Sequence, residues 1–144
     1  MGNGYEWLMG TTPTQDWAKI VWNEWNVPKH SFNSWLIMQC GLNTKAKLFT
    51  YGCCQDDLCV LCAEQSETIE HLFTECKFSC QVQKYVEDWI ECPFPTDSEL
   101  LNVSGSRLKW KALALVFSRY RYTVWFQRNH ALTELDARTC VGFY

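Results

Sequence analysis

The spacing Cys59-x2-Cys62-x8-His71-x4-Cys76 constrains this chain more than any other feature it has. Two thiols separated by two residues sit on one tight turn, as a tetrahedral ion requires of a single loop. A turn of helix further along returns an imidazole and a thiolate toward the same point. Three soft thiolates and one imidazole make a closed donor set, which suits a structural zinc ion rather than a catalytic ion with an open position. Spacing alone leaves a plainer reading standing: buried free thiols around a satisfied core histidine, since the eight-residue gap is not a standard knuckle length. Cys53 and Cys54 just upstream and Cys80 just beyond are alternative donors. Cys40, Cys92 and Cys140 stand alone and are expected to be ordinary buried thiols.

A disulfide scaffold is the competing use of nine cysteines, and three features oppose it. The count is odd, 144 residues exceed a stapled mini-domain, and Met1 to Glu6 shows no apolar stretch of a secretion signal. The longest apolar run, Ala112 to Phe117, is far too short to cross a bilayer. The expectation is therefore reduced thiols in an intracellular protein of the nucleus or cytoplasm, with no membrane partner. Eight Trp, eight Phe and six Tyr spread over the chain supply a core almost everywhere, which excludes a disordered tail.

Periodicity places helices around the metal loop. Trp17, Ile20, Val21 and Trp25 share a helical face that Pro28 is expected to close. Ser31 is placed to cap a second helix, with Phe32, Trp35 and Leu36 inward and Gly41 at its end. Thr44 is placed to cap a short third helix carrying Leu48 and Phe49, which Gly52 ends. Residues from Cys53 to Ser66 read as a loop, and Thr68 caps the helical turn bearing His71. Phe78, Val82, Tyr85, Val86, Trp89 and Ile90 then mark an amphipathic helix stopped by Pro93 and Pro95. From Arg107 to Thr133 there is neither Gly nor Pro, enough for a helix of roughly 40 Å. The fold class is all-α: a helical zinc-binding domain over residues 1–95, with a C-terminal helix in 96–144 packing on it as one unit.

The ordered pieces Trp17-Ala18-Lys19-Ile20-Val21-Trp22, Pro28-Lys29-His30-Ser31-Phe32, Trp35-Leu36 and Leu42-Asn43-Thr44 lead to Leu48 and then to Cys59-Val60-Leu61-Cys62. The block Glu67-Thr68-Ile69-Glu70-His71-Leu72-Phe73-Thr74-Glu75-Cys76 follows, and Trp125-Phe126-Gln127-Arg128-Asn129 stands near the end. This succession resembles the zinc-binding domain at the C-terminal end of plant non-LTR retrotransposon reverse transcriptases. The resemblance implies Cys59, Cys62, His71 and Cys76 as the ligands of one zinc ion. It also implies what is missing, since nothing here corresponds to the polymerase, endonuclease or ribonuclease H parts. Gln83 departs from the Trp that relatives usually carry after the last ligand, which bears on packing there rather than on the metal. Asp56-Asp57 lacks the hairpin and the upstream aspartate of a two-metal polymerase site and reads as solvated loop.

A net charge of −3 hides an uneven distribution. Gln55 to Glu99 holds eleven acids against Lys77 and Lys84, whereas Leu100 to the end holds seven bases against Glu134 and Asp136. On a helical wheel Arg107, Lys111, Arg121, Trp125 and Arg128 gather in one arc, opposite Leu108, Ala112, Leu115, Val116 and Phe126. Exposed, such an arc would grip phosphates and stack a base of RNA or single-stranded DNA. It reads equally as a plain solvated face, with Trp125 in the core, or as a face docked on the acidic zinc segment of the same molecule. The zinc loop itself carries acids and no Lys or Arg between Gln55 and Cys76, so it would repel a phosphate backbone. The expected function is a non-catalytic, zinc-stabilised binding module with weak nucleic-acid affinity through the last helix. The alternative is a protein-interaction adaptor without nucleic-acid binding. An enzyme on this scaffold comes third, because no nucleophile–base pairing or Gly-rich phosphate loop is present.

Overall fold

The computed structural model describes residues 17–101 and 107–141, with the backbone alone at Asp97, Leu101, Arg107 and residues 136–141. The expectations placed on residues 1–16 and on the side chains of Arg107 and Cys140 lie outside the described residues. The fold is all-α. Its helices are α1 (Ala18–Val21), α2 (Pro28–Met38), α3 (Lys45–Thr50), α4 (Lys77–Ile90), α5 (Asp97–Leu101) and α6 (Arg107–Val141), with a π-helical turn at His71–Glu75.

Local chemistry sets most of these boundaries. Asn23 Oδ1 accepts from the Trp25 amide and breaks α1 after a single turn, so Trp25 lies exposed rather than on a continued helical face. Pro28 does not close α1; it opens α2 at the first helical position, where its missing N–H costs nothing. Val27 before it is extended, as a residue preceding proline must be. Ser31 therefore sits buried inside α2 instead of capping it, and Phe32 points to solvent. At the other end Cys40, not Gly41, takes the left-handed conformation (φ 52°). Gly41 runs close to the helix it follows: its amide donates to Leu36 O at 2.7 Å, and a Cβ there would meet Leu36 Cδ2 at 3.1 Å, so that methyl group would have to give way. Cys40 is exposed and Cys92 half-buried, so neither is a core thiol. Gly52 ends α3 at φ 74°, as expected. The connection after Pro95 contains α5, which rests on a reciprocal cap between Thr96 and Glu99: the Thr96 amide donates to Glu99 Oε2 at 2.7 Å and the Glu99 amide to Thr96 Oγ1 at 3.3 Å.

Two groups of buried residues meet along α6. Ile37, Leu42, Cys59, Leu72, Phe73, Cys76, Tyr120 and Val124 form one, around the cysteine–histidine cluster. Ile20, Leu100, Ala114 and Phe117 form the other, and Phe94 packs against both. Tyr120 is fixed by its hydroxyl, whose one proton is shared between Phe73 O (3.0 Å) of the neighbouring π turn and Ser79 O (3.2 Å) of α4.

The orientation of α6 reverses the one expected from the wheel. Ala114, Phe117, Ser118, Arg121, Val124 and Arg128 are buried, while Leu108 and Phe126 are exposed. The proposed phosphate-gripping arc thus faces inward. Arg121 lies over the Phe117 ring at 3.9 Å, Lys111 pairs with Glu24 and lies over Trp25, and Trp125 packs against the first core group. Hydrophobicity alone misassigns the faces because Arg and Lys bury their stems readily once the charged heads find partners. Arg128 makes the decisive pairing. It is 3% exposed and bonds Glu67, itself 0% exposed, through Nε at 2.9 Å and Nη2 at 2.6 Å. Docking of the basic face on the acidic zinc segment is the arrangement this pair creates.

Breaking such a pair strands a buried charge. Arg128→Leu should cost about 3–5 kcal/mol in chemical unfolding, and adding Glu67→Gln should recover part of that loss. A single-variant cost near zero would show that the pair does not anchor α6.

Candidate metal centre

The cluster is built from a short hairpin-like loop and a widened helical turn. Leu58 and Ser66 form an isolated antiparallel bridge, and the Cys59 amide donates to Gln65 O at 2.8 Å. Between them the chain turns tightly: the Ala63 amide donates to Cys59 O at 2.8 Å, and Ala63 itself is left-handed (φ 55°). The stretch expected to be plain loop is therefore folded back on itself by backbone bonds. Backbone N–H groups of Cys62 and Leu61 point at the Cys59 sulfur, and those of Glu64 and Gln65 at the Cys62 sulfur. This arrangement stabilises thiolates.

Thr68 Oγ1 accepts from the His71 amide (3.0 Å) and starts the second half of the site, as its position in the sequence predicts. The turn then widens, and the Cys76 amide donates to His71 O at 2.7 Å, five residues back. A π turn brings residues five apart nearly one above the other, which an α-helix does not do. That local irregularity is what aligns the imidazole with the last thiol. Ser79 holds the turn from below, its hydroxyl donating to Leu72 O at 2.5 Å.

The four donor atoms of Cys59, Cys62, His71 and Cys76 all lie within 4.8 Å of one another. Cys59 Sγ and Cys76 Sγ are 3.9 Å apart, and Cys62 Sγ is 3.3 Å from His71 Nε2. A tetrahedron with metal–sulfur bonds near 2.3 Å has sulfur–sulfur edges of about 3.8 Å, so the spacing fits zinc. The far side of the ring fits too: His71 Nδ1 is buried, has no hydrogen-bond partner, and faces the Glu75 carboxylate at 3.7 Å. Burial pushes the Cys59 thiol up to about 12, against the pull of its backbone N–H groups. Cys62 is nearer solvent: its smaller burial also acts upward, yet the N–H of Glu64, the His71 ring and the N–H of Gln65 bring it down to about 7.

The rival donors do not join. Cys53 is exposed and turned toward Tyr51 O, and the exposed Cys80 sulfhydryl donates to Thr74 O at 3.3 Å. All eight described cysteines are free. Asp56 of the dismissed acidic pair has a structural use, since it accepts from Lys45 Nζ (2.5 Å) and from the Leu58 amide (3.0 Å) at the mouth of the loop. One residue that ties the site together stands in the sequence only as the head of the block that ends at Cys76. Glu67 Oε2 accepts from the Val60 amide, inside the Cys59–Cys62 turn, at 3.0 Å, while its Oε1 accepts from Lys45 N at 2.8 Å and from Arg128. Its place at the head of that block and the unequal charge of the two halves of the chain were the signals pointing to it.

A helical scaffold carrying a closed three-thiol, one-imidazole cluster defines a domain with a candidate structural metal site. Residues 1–82 match the family described as zinc-binding in reverse transcriptase, and the chain belongs to that family. All four donors fall within the matched segment, and α6 lies beyond it. No curated protein and no solved structure matches the chain. Among the described residues, no helix is long and apolar enough to cross a membrane.

The geometry separates ligands from bystanders. Cys59→Ser should abolish stoichiometric metal in elemental analysis, whereas Cys53→Ser and Cys80→Ser should leave it unchanged. Loss of metal in either of the last two variants would reassign the ligand set.

Proposed function

We propose that Cys59, Cys62, His71 and Cys76 hold one structural zinc ion, and that the protein is a non-catalytic binding module of the type found at the end of plant retroelement reverse transcriptases. The convergence of four soft donors within 4.8 Å carries this reading. Zinc would supply fixed tetrahedral geometry and no open position. The chain's own residues do the rest. The backbone N–H groups around Cys59 and Cys62 orient the sulfurs, Glu75 flanks the imidazole, and Glu67 ties the loop to α3 and α6. Weak binding of RNA or single-stranded DNA belongs to this reading, but not through the arc of Lys111, Arg121, Trp125 and Arg128, whose charges are engaged internally.

The second reading, a protein-interaction adaptor, has its own observation. On α4, Tyr85 and Trp89 are largely exposed beside Lys84 and Asp88, an aromatic surface that no described element covers.

Purified protein should carry one zinc per chain, and chelation should remove much of its helical circular-dichroism signal, because assembling the site and folding are coupled. Cys62→Ser should reproduce chelation, and Cys92→Ser should be nearly silent. Fully folded protein with well under one equivalent of metal would overturn the assignment.

The non-catalytic part is tested by primer extension. With magnesium or manganese the protein should incorporate no nucleotide, and Asp56→Asn should disturb only the contacts that Asp56 makes with Lys45 and the Leu58 amide. Extension by the wild type that this variant loses would restore a catalytic role to the acidic pair.

A further inference from the structure

The outward side of α6 is the side that sequence patterning assigns to the core, and its C-terminal half carries a row of rings. Tyr122, Phe126 and His130 stand one helical turn apart, with ring centroids 6.2 Å and 6.5 Å from one to the next and interplanar angles of 27° and 31°. Phe126 is 54% exposed, and the His130 side chain is similarly open. Lys29 Nζ of α2 lies 4.9 Å from the Tyr122 centroid, and His30 packs on the same ring at 4.7 Å. Arg119 is exposed one turn before the row and, with Lys29, acts on His30, whose protonation is disfavoured first by burial and then by these two cations. Lys29 and Arg119 thus flank the start of the row.

We infer that Lys29, Arg119, Phe126 and His130, set around the half-buried Tyr122, form a binding surface for single-stranded nucleic acid, with the exposed Phe126 and His130 rings stacking bases and the two cations holding phosphates. Charge selects this occupant. From Leu108 to Thr133 the helix contains no Asp or Glu, and the first acid beyond, Glu134, lies 3.7 Å from His130 at the far end of the row. Among the described residues, neither Lys29 nor Arg119 is paired with a carboxylate, in contrast to Lys111 and Arg128. Rings that accept any base, beside cations that attract any phosphate, give binding without sequence preference.

This inference rests on the binding-module reading and gives it a surface different from the inward arc. The test uses the zinc-loaded full chain with fluorescein-labelled oligouridine, read by anisotropy at several salt concentrations. Two phosphate contacts predict a log–log salt slope of about −1.4. Phe126→Ala should weaken binding at least about fivefold, and Arg119→Gln should lower the slope by about 0.7. Lys84→Gln on α4, equal in charge change, should leave binding unaltered. Zinc content and melting temperature are measured on every variant, so failure of the metal assignment shows there and not in the anisotropy. Outward positions tolerate these changes, and a variant with normal zinc and melting temperature is a valid reading. Absence of binding by the wild type at low salt would overturn the inference, as would equal binding by Phe126→Ala and Arg119→Gln. Self-association that Phe126→Ala dissolves, without RNA binding, would overturn it in favour of a protein-docking face.

Discussion

A single buried carboxylate joins the parts of this molecule. Glu67 accepts from the first amide of α3, from an amide within the Cys59–Cys62 turn and from the Arg128 guanidinium, which together engage both of its oxygens. Its own backbone continues the pattern, donating to Asp57 O at 2.7 Å and accepting from Ala46 at 3.3 Å. A charge at 0% exposure is tolerable only when every lone pair is matched, and here the matching groups come from three separate elements. Position matters as much as satisfaction. The start of α3 presents amides that no helical carbonyl can reach, and Thr44 makes no side-chain cap, so the carboxylate does that work from across the fold. Removing any one partner leaves the others around an incomplete shell.

The cysteine cluster depends on the same kind of matching. Burial opposes ionisation of Cys59, so without a cation to offset that burial this thiol would stay protonated in the folded loop. Backbone N–H groups aimed at the sulfurs, and an imidazole whose Nε2 faces Cys62 with the Glu75 carboxylate behind its Nδ1, are arrangements that make physical sense around a cation. The π turn carries the same logic into the backbone, since a widened turn is worth its poorer packing only where it aligns His71 with Cys76.

Much of the site could be read from the residues, because its ligands are local: two short loops with distinctive chemistry, one of them opened by Thr68 as a cap. Helix α3 and the end of α4 were legible for similar reasons, through Gly52 and through Pro93 with Pro95. What escaped was whatever depends on a distant partner or on a backbone choice between two plausible alternatives. Pro28 can follow a helix or begin one, and only the extended Val27 and the Asn23 turn decide. The Thr96–Glu99 cap was visible as a motif, but a five-residue helix leaves almost no periodicity to attract notice. The faces of α6 were misassigned for a deeper reason. A wheel ranks side chains by polarity, whereas burial of Arg128 is decided by Glu67, a residue that the wheel does not contain.

The reversal of α6 follows from an ordering of energies. Leaving Glu67 buried without a counter-charge would cost several kcal/mol, whereas exposing Leu108 or Phe126 costs about 1–3 kcal/mol each at most. With the arginine available on α6, the helix turns that side inward and accepts apolar residues on its outer surface. Arg121 over Phe117 and Lys111 with Glu24 then fall on the favoured side at no further conformational cost. Because Val60, between two of the four donors, shares Glu67 with Arg128, the rotation of the long helix and the shape of the cysteine turn are set by one group. Loosening the turn would therefore loosen the constraint that presents Tyr122, Phe126 and His130 outward, which makes the ordering of the metal loop a condition for the surface displayed on α6.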